Sequence, residues 1–417
     1  MRSANGPIIY REGNALMLRF VCRQLIPFLH GAMKSLSLRC LLNLQAHNYL
    51  QIMSLEIAGV LKRVSCLCLC VLVFPAVSTS QQLQDIGFSG QFFFSYERNI
   101  FEDGFTNEFT IKRGYITFRK DLSDRVEIRF TQDVTIDGQG DGMGDIELRL
   151  KYALVEYSFP DYGIFTSPTV EGGVVHRPWL SFEQGVNDYR AQRSMFLDQN
   201  DILASADYGF QFAAALGPEL DEDKQRGLAS TPGRYGGIAI GLYNGGGYSA
   251  LEFNNNKLVE TAVSLRPFPD QLPGFQTSLV GTAGKGNIPE SPDFYMLGSA
   301  LTYESVRAKL MLEGFRGTGD SAGSFTDPDT FEAYNLEGWS AFSEIQPFDF
   351  PVNITLRYDE LYNRDLDRLS VQQWVAGLAY VFSNRSKIIV DMSRRDVNSV
   401  SDTEAFTRFE VVTEVRF

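Results

Sequence analysis

Long stretches of alternating apolar and polar residues constrain this chain more than any other feature. Residues 124–137, "DRVEIRFTQDVTID", and residues 350–362, "FPVNITLRYDELY", alternate along almost their whole length. Successive side chains of a strand point to opposite faces of a sheet, so each stretch predicts a strand with one apolar face. Strands of soluble proteins usually have about five or six residues. Strands as long as these suit a tilted crossing of a lipid bilayer.

The same alternation recurs along the chain after residue 80. Sixteen segments show it, and an even number is what bacterial barrels use. The predicted fold class is therefore all-β: a transmembrane antiparallel β-barrel of about 16 strands. The candidate strands are 86–97, 108–120, 124–137, 145–157, 168–176, 206–216, 234–244, 256–268, 274–284, 293–304, 306–316, 330–346, 350–362, 369–383, 386–396 and 404–417.

The last candidate strand ends in "FEVVTEVRF" and shows how the two faces divide. Phe409, Val411, Val415 and Phe417 share one parity and are predicted to face lipid. The charged parity is predicted to face a water-filled lumen, where such a face is tolerated in a membrane. The residues predicted to face the lumen are Arg125, Glu127, Arg129, Asp133, Glu147, Arg149, Lys151, Arg357, Asp359, Arg408, Glu410, Glu414 and Arg416.

Composition agrees with a barrel that has no helical span. Phe (32), Tyr (18) and Gly (37) are abundant, yet the mean hydropathy is −0.13. No apolar run after residue 80 approaches the roughly 18 residues of a membrane helix. All five cysteines precede residue 80. The rest of the chain therefore offers no thiol nucleophile and suits an oxidising compartment.

The beginning of the chain contains a predicted secretory signal. Lys62 and Arg63 precede an apolar core at 64–74 and small residues that suit cleavage near Gln81. Residues before Met53 would bury this signal inside the chain, so Met53 is the predicted start. A genuine targeting extension is the alternative, and peptides from it in the mature protein would support that alternative. The predicted organisation is 1–52 misassigned extension, 53–80 signal peptide and 81–417 barrel.

Net charge changes after the leader. The whole chain carries −13, and subtracting the +6 of residues 1–80 leaves −19 for residues 81–417. A chain this acidic does not attract nucleic acid. The same number predicts a mixed or cation-leaning lumen.

One segment, 177–201, "RPWLSFEQGVNDYRAQRSMFLDQND", breaks the alternation. It is long, irregular and rich in aromatic residues, and long loops of this kind are usually functional or disordered. Aromatic residues are scarce in disordered segments, so it is predicted to fold inward and narrow the lumen. An ordered external loop is the alternative. The residues predicted at the constriction are Trp179, Glu183, Arg190 and Arg193.

Residues 168–216 resemble the phosphate-selective porin O/P family of bacterial outer-membrane proteins. The likeness rests on Gly172, Gly173, Pro178, Trp179, Glu183, Arg190, Asp207, Gly209 and Gln211. The resemblance implies a sixteen-stranded barrel that conducts small solutes as a homotrimer in the outer-membrane lipid. It also implies that Phe417 is an assembly signal read by the barrel assembly machinery.

The predicted function is passive diffusion of small hydrophilic solutes or ions across a bacterial outer membrane, with no cofactor, metal or covalent chemistry. A phosphate- or anion-selective porin is the first alternative. The others are a barrel enzyme, for which His176 is the one histidine after residue 80, and a structural or adhesive barrel. Asp137, Asp141 and Asp145 are a weaker calcium alternative, because their spacing misses the calcium-loop order.

Overall fold

The computed structural model describes residues 86–138, 142–230, 233–398 and 403–417. The predicted extension and signal, 1–80, lie outside these ranges. Within them, sixteen antiparallel strands form one closed barrel, because β1 pairs with β16 as well as with β2. The predicted number and order of strands are confirmed. The strands are β1 Gly87–Ile100, β2 Phe105–Ser123, β3 Val126–Ile136, β4 Ile146–Ser158, β5 Phe165–His176, β6 Ala206–Leu216, β7 Gly236–Tyr243, β8 Leu258–Leu265, β9 Phe275–Lys285, β10 Asp293–Glu304, β11 Ala308–Thr318, β12 Asn335–Ile345, β13 Val352–Asn363, β14 Arg368–Val381, β15 Lys387–Asn398 and β16 Thr403–Arg416.

Helices are short and lie in the connections. No helix in the described ranges is both long and apolar enough to cross a membrane. The helices are α1 Pro178–Val186, α2 Phe196–Gln199 and α3 Glu222–Gln225, and Ser383–Arg385 forms a 3₁₀ turn.

The predicted strand 330–346 begins too early. In the structure β12 starts at Asn335, because the residues before it form a turn. The carboxylate of Asp327 accepts the backbone N–H groups of Asp329 (3.0 Å) and Thr330 (2.9 Å). Aspartate favours such local turns, which take these residues out of the ladder.

Side chains on the two faces of the wall differ as the alternation predicts. In β16, Phe409 and Val411 are 44% and 42% exposed on the outer surface, whereas Glu410 is 2% exposed inside. Val412, the one apolar residue on the charged parity, is fully buried inside. The outer surface is therefore apolar and the inner surface polar.

The pairing of the described strands shows five register shifts, and two of them are β-bulges at lysine residues. The pairing register shifts once between β1 and β2 and once between β3 and β4, which leaves Lys112 and Lys151 as extra residues. A bulge turns two consecutive side chains toward the same face. Tyr152 and Leu154 are consequently buried inside, whereas the sequence pattern predicts them on the outer face with Ile146.

Candidate functional site

The connection between β5 and β6, residues 177–205, is termed the inward loop. Its first helix starts with Pro178, a position where the missing N–H of proline costs nothing. The loop contacts lumen-facing side chains of β2, β8, β11, β13, β15 and β16, which lie on different sides of the barrel. The predicted inward fold is confirmed. Its most deeply buried apolar side chains are Trp179, Leu180, Val186, Ala191, Met195, Phe196 and Ile202.

Arg177 anchors the start of the inward loop. Its fully buried guanidinium donates from Nε to Glu260 on β8 at 2.7 Å and lies 3.5 Å from Asp207. Glu260 also accepts the backbone N–H of Trp179 at 2.9 Å. One carboxylate thus holds both the arginine and the free N–H groups at the start of α1, where a negative charge is favoured.

A pair of carboxyl groups holds the middle of α1. Glu183 is 1% exposed and faces Glu313 of β11, which also accepts the indole N–H of Trp179 at 3.3 Å. Burial, followed by the charge of Glu313, raises the pKa of Glu183 well above its ordinary value. Two buried carboxylates side by side would repel, so a proton on Glu183 favours this contact.

We expect docking of α1 to weaken as pH rises. The raised pKa means that the docked helix keeps a proton on Glu183 that an undocked helix would release. Docking is therefore most favourable at pH below the ordinary glutamate pKa, and it weakens as pH rises through the raised pKa. Channel current recorded over a series of rising pH should become larger or noisier, and Glu183→Gln should remove that change. The same pH response in Glu183→Gln would contradict this prediction.

Three cations hold Asp188, at the end of α1. Its carboxylate lies 2.6 Å from Arg416, 2.8 Å from Arg385 and 2.9 Å from Lys387. Burial acts to raise its pKa, but these cations outweigh burial and hold the pKa below the ordinary aspartate value. Lys387 also donates to the backbone oxygen of Asp188 at 2.7 Å. The inward loop is thereby tied to β15 and β16.

Arg193, near the middle of the loop, is also an anchor. It is 8% exposed and lies 3.3 Å from Glu410, and it donates to Ser393. Lys112, the bulge residue of β2, lies 2.6 Å from the same Glu410 and donates to the backbone oxygen of Ala191 at 2.7 Å. Glu410 compensates part of the charge of these two cations, and Glu97 lies 3.9 Å from Lys112.

A cavity of about 570 Å³ remains between the inward loop and the wall of β1–β5, and it is termed the basic cavity. Five cationic side chains line it, and no Asp or Glu occurs among its described lining residues. Tyrosine, threonine and other hydroxyl or amide groups complete the wall. The cations are Arg119, Arg129, Lys151, Arg190 and Arg416.

Lys151 and Arg190 are the cations with the least charge compensation. The Nζ of Lys151 donates to Ser205 at 2.9 Å and lies 5.0 Å from the ring centre of Tyr115. In the part of the chain that the structure describes, no carboxylate lies within 4.0 Å of it. Arg190 donates to Tyr115 at 2.8 Å and to Gln184 at 3.2 Å, while its Nε is buried without a partner. Both groups can therefore attract an anion, and Tyr115 positions both.

The four residues predicted at the constriction have different places. Arg190 lines the basic cavity, whereas Arg193 is held in the ion pair with Glu410. Trp179 and Glu183 are each 1% exposed and do not face open space. They pack α1 against β11, because an amphipathic helix inside a barrel must bury one side against the wall. Their predicted place at the constriction stays a prediction, and in the structure both side chains anchor α1 to the wall.

The residues predicted to face the lumen mostly form ion pairs along the inner wall. Arg125 is the exception: it lies in the exposed turn between β2 and β3, because pairing ends at Ser123 and Val126. Arg129 donates to His176 at 2.8 Å, and Lys151 donates to Ser205 at 2.9 Å. The closest pairs are Asp133–Arg113 2.6 Å, Asp133–Arg149 2.9 Å, Arg357–Asp359 2.8 Å, Arg408–Glu97 3.0 Å, Glu127–Arg119 3.2 Å, Glu147–Arg149 3.7 Å and Glu414–Lys387 3.5 Å, besides Arg416–Glu414.

Sequence reasoning missed Tyr115, Tyr152 and Tyr248, which surround Lys151. The sequence does contain a sign of the bulge at Lys151. The apolar residues at the start of β4 have even numbers, whereas Val155, further along the strand, is apolar at an odd number. In the calcium alternative, Asp141 lies outside the described residues. Among the residues that the structure describes, no three His, Cys, Asp or Glu side chains are arranged to hold a metal ion.

Comparison with known proteins gives a fold but no family. No family model matches the chain, and no curated protein matches it. The resemblance to the phosphate-selective porin O/P family therefore stays a prediction.

Solved outer-membrane proteins share the architecture. OmpF of Salmonella typhi, in complex with daunomycin, superposes with a TM-score of 0.53 at 12% identity, covering 79% of this chain and 97% of that chain. An anion-selective porin from Comamonas acidovorans gives 0.52 at 11% identity, with 79% and 99% covered. OmpT of Vibrio cholerae, in a trimer form, gives 0.50 at 11% identity, with 80% and 99% covered. At these identities the likeness establishes the barrel fold alone.

Proposed function

We propose that this chain forms a water-filled pore for passive diffusion of small hydrophilic solutes, with a preference for anions. The observation that carries the proposal is the basic cavity. The inward loop packs against much of the inner wall, yet beside β1–β5 it leaves open space lined by five cations. Charged groups around a narrow aqueous passage set its ion preference, so these cations attract anions and repel other cations.

The total charge supports a cation-leaning lumen only if the acidic groups are free. Most inner carboxylates instead lie within ion-pair distance of an arginine or lysine, as Asp133 does with Arg113 and Arg149. Of the cations of the basic cavity, Arg119 and Arg416 have such partners, whereas Lys151 and Arg190 have none within 4.0 Å among the described residues. Selectivity follows the local field of the narrowest region more than the net charge of the chain. The anion-selective alternative is therefore favoured over the cation-leaning one.

The proposed location is a bacterial outer membrane, after export by the predicted signal. The exposed apolar side chains of the outer wall, such as Leu297 (67%) and Leu279 (58%), support lipid as the surrounding medium.

A homotrimer is proposed by analogy with the trimer form of the Vibrio cholerae protein. Native mass spectrometry in detergent tests it, and a monomer alone would contradict it. Within the anion class, the family resemblance proposes phosphate, which should then block chloride current.

The contacts of Phe417 support its proposed role in assembly of the barrel. Its ring lies 5.7 Å from that of Phe88 and 6.3 Å from that of Phe92, and its backbone pairs with Gly90 across the seam that closes the barrel. We expect Phe417→Ala to lower the yield of closed barrel, measured by heat-modifiable gel mobility. Val415→Ala in the same strand is the matched control. Equal yields of both variants would contradict a special role for Phe417.

An enzyme is the less supported alternative. The Nδ1 of His176 contacts Glu171 at 2.8 Å, and its Nε2 contacts Arg129 at 2.8 Å. An arginine can only donate, so Nε2 is the acceptor and is occupied. A catalytic histidine would need that nitrogen for a serine hydroxyl. Hydrolysis of lipid or peptide that is lost in His176→Ala would reverse this order of preference.

Recording in planar bilayers tests the pore itself. The chain expressed from Met53 should give stable open-channel steps, and liposomes that contain it should admit small sugars. Closed bilayers with correctly assembled barrel would contradict the proposed function and favour a structural or adhesive barrel.

A further inference from the structure

The described residues of the connection between β6 and β7, 217–230 and 233–235, are termed the rim segment. Consecutive connections of an antiparallel barrel lie at opposite ends, so this segment enters from the mouth opposite to the inward loop. We propose that it is a second constriction, which braces α1 and closes a neutral compartment of the lumen. Glu304 is the residue that holds it in place. This inference rests on the proposed pore function and adds a determinant of which solutes pass.

The rim segment crosses the mouth toward strands that are distant in the barrel. Lys224 and Arg234 each lie 2.6 Å from Asp270, in the connection between β8 and β9. Gly227 has φ +83°, and a Cβ there would lie 2.4 Å from the backbone nitrogen of Val306, in the connection between β10 and β11. Only glycine permits both this conformation and this close approach. The segment therefore spans the mouth from β6 to β11.

A buried carboxylate fixes the inner tip of the segment. Glu304 of β10 is 2% exposed and accepts the backbone N–H of Ala229 at 2.8 Å and of Ser230 at 3.3 Å. It also accepts the Ser230 hydroxyl, whose oxygen in turn accepts a hydrogen bond from Gln276. Hydrogen bonds to a charged, buried acceptor are the stronger kind. The tip is thus held inside the barrel by its backbone, independently of side-chain identity at Ala229.

The tip touches α1. A Cβ on Gly185 would lie 3.3 Å from the backbone oxygen of Ala229, so helix and segment are in close contact at this glycine. The inward loop from one mouth and the rim segment from the other therefore meet inside the barrel.

Above the tip lies a cavity of about 390 Å³, between α1 and the wall of β5–β8. None of the described residues that line it carries a charge, and most are small. Ser181 and Gly185 of α1 line both this cavity and the basic cavity, so α1 divides the two. Ala229 and Ser230 line the neutral cavity, whereas no described lining residue of the basic cavity belongs to the rim segment. The segment thus restricts uncharged space and leaves the basic route open.

Two variants remove the same contact from opposite sides. Glu304→Ala removes the acceptor, and Ala229→Pro removes the best placed N–H donor and leaves Glu304 intact. Ala229→Gly keeps the N–H and is the matched control. We expect both test variants to raise uptake of uncharged sugars into liposomes several-fold and to lower the anion-to-cation permeability ratio, whereas Ala229→Gly should match the wild type.

The outcomes separate the two proposals. A wild-type chain that does not conduct contradicts the pore function itself. A conducting wild type with unchanged sugar uptake in both test variants overturns only the second constriction. A change in Glu304→Ala alone also overturns it, because the effect would then come from the charge of Glu304 and not from the tip. If Ala229→Pro does not assemble, a second variant replaces it in the test beside Glu304→Ala. This variant combines Ser230→Ala with Gln276→Ala and removes side-chain contacts of the tip.

Discussion

Arg190→Glu is expected to convert the proposed pore from anion-preferring to cation-preferring. Arg190 lines the basic cavity, has no carboxylate partner among the described residues, and keeps an unpaired Nε. The substitution replaces a positive by a negative charge beside Lys151, so an entering anion loses one attraction and meets one repulsion. Two unit charges about 4 Å apart interact by roughly 4 kcal/mol at an effective dielectric constant of about 20. An effect of even a third of that size changes a permeability ratio about tenfold.

The measurement is the reversal potential in a salt gradient, and the control is Arg316→Glu. Arg316 is exposed on the outer side of β11, so this variant makes the same change in net charge away from the lumen. We expect the sign of the reversal potential to change in Arg190→Glu and to stay in Arg316→Glu. Equal shifts in both variants would mean that net charge, and not the basic cavity, sets selectivity.

Arg177→Ala is expected to release the start of the inward loop and widen the pore. The change leaves Glu260 as a buried charge without its arginine, and breaking a buried pair in this way typically costs about 3–5 kcal/mol. Since Glu260 also holds the first turn of α1 through Trp179, the helix should lose its position. Single-channel conductance and the size limit for sugar uptake should both increase, and thermal stability should fall.

The double variant Arg177→Met with Glu260→Met controls for the missing charge. Replacement of both partners by apolar residues of similar volume is often close to neutral for stability. It should therefore recover thermal stability but only part of the loop anchoring, because the acceptor for the Trp179 N–H is also gone. Wild-type conductance and size limit in Arg177→Ala would show that the loop does not depend on this pair.

The fold could be predicted from the sequence because successive residues of a strand face lipid and lumen in turn. Lipid requires apolar side chains, and the lumen requires polar ones. The alternation in β3 and β13 gives both the strand and its inner face. The pattern reports a bulge only as a change of phase, which does not tell which residue of the strand is the extra one. Lys112 and Lys151 are such residues, and the second of them brings Tyr152 inside against the predicted parity.

The site was accessible only in part. Aromatic residues in 177–201 predict that this segment is buried, but not which of its side chains face the wall. Trp179 and Glu183 therefore appear as pore residues in the sequence and as anchors in the structure. Net charge does not tell which lumen charges are paired, because ion pairs between residues distant in sequence, such as Arg193 and Glu410, form only in the fold.

The most direct test of the central claim is the reversal potential of the wild-type chain, expressed from Met53 and recorded across a potassium chloride gradient. A cavity lined by five cations and by no described carboxylate predicts a reversal potential on the chloride side. A reversal potential on the potassium side would contradict it. The −19 net charge of residues 81–417 would then be what sets the ion selectivity of the lumen.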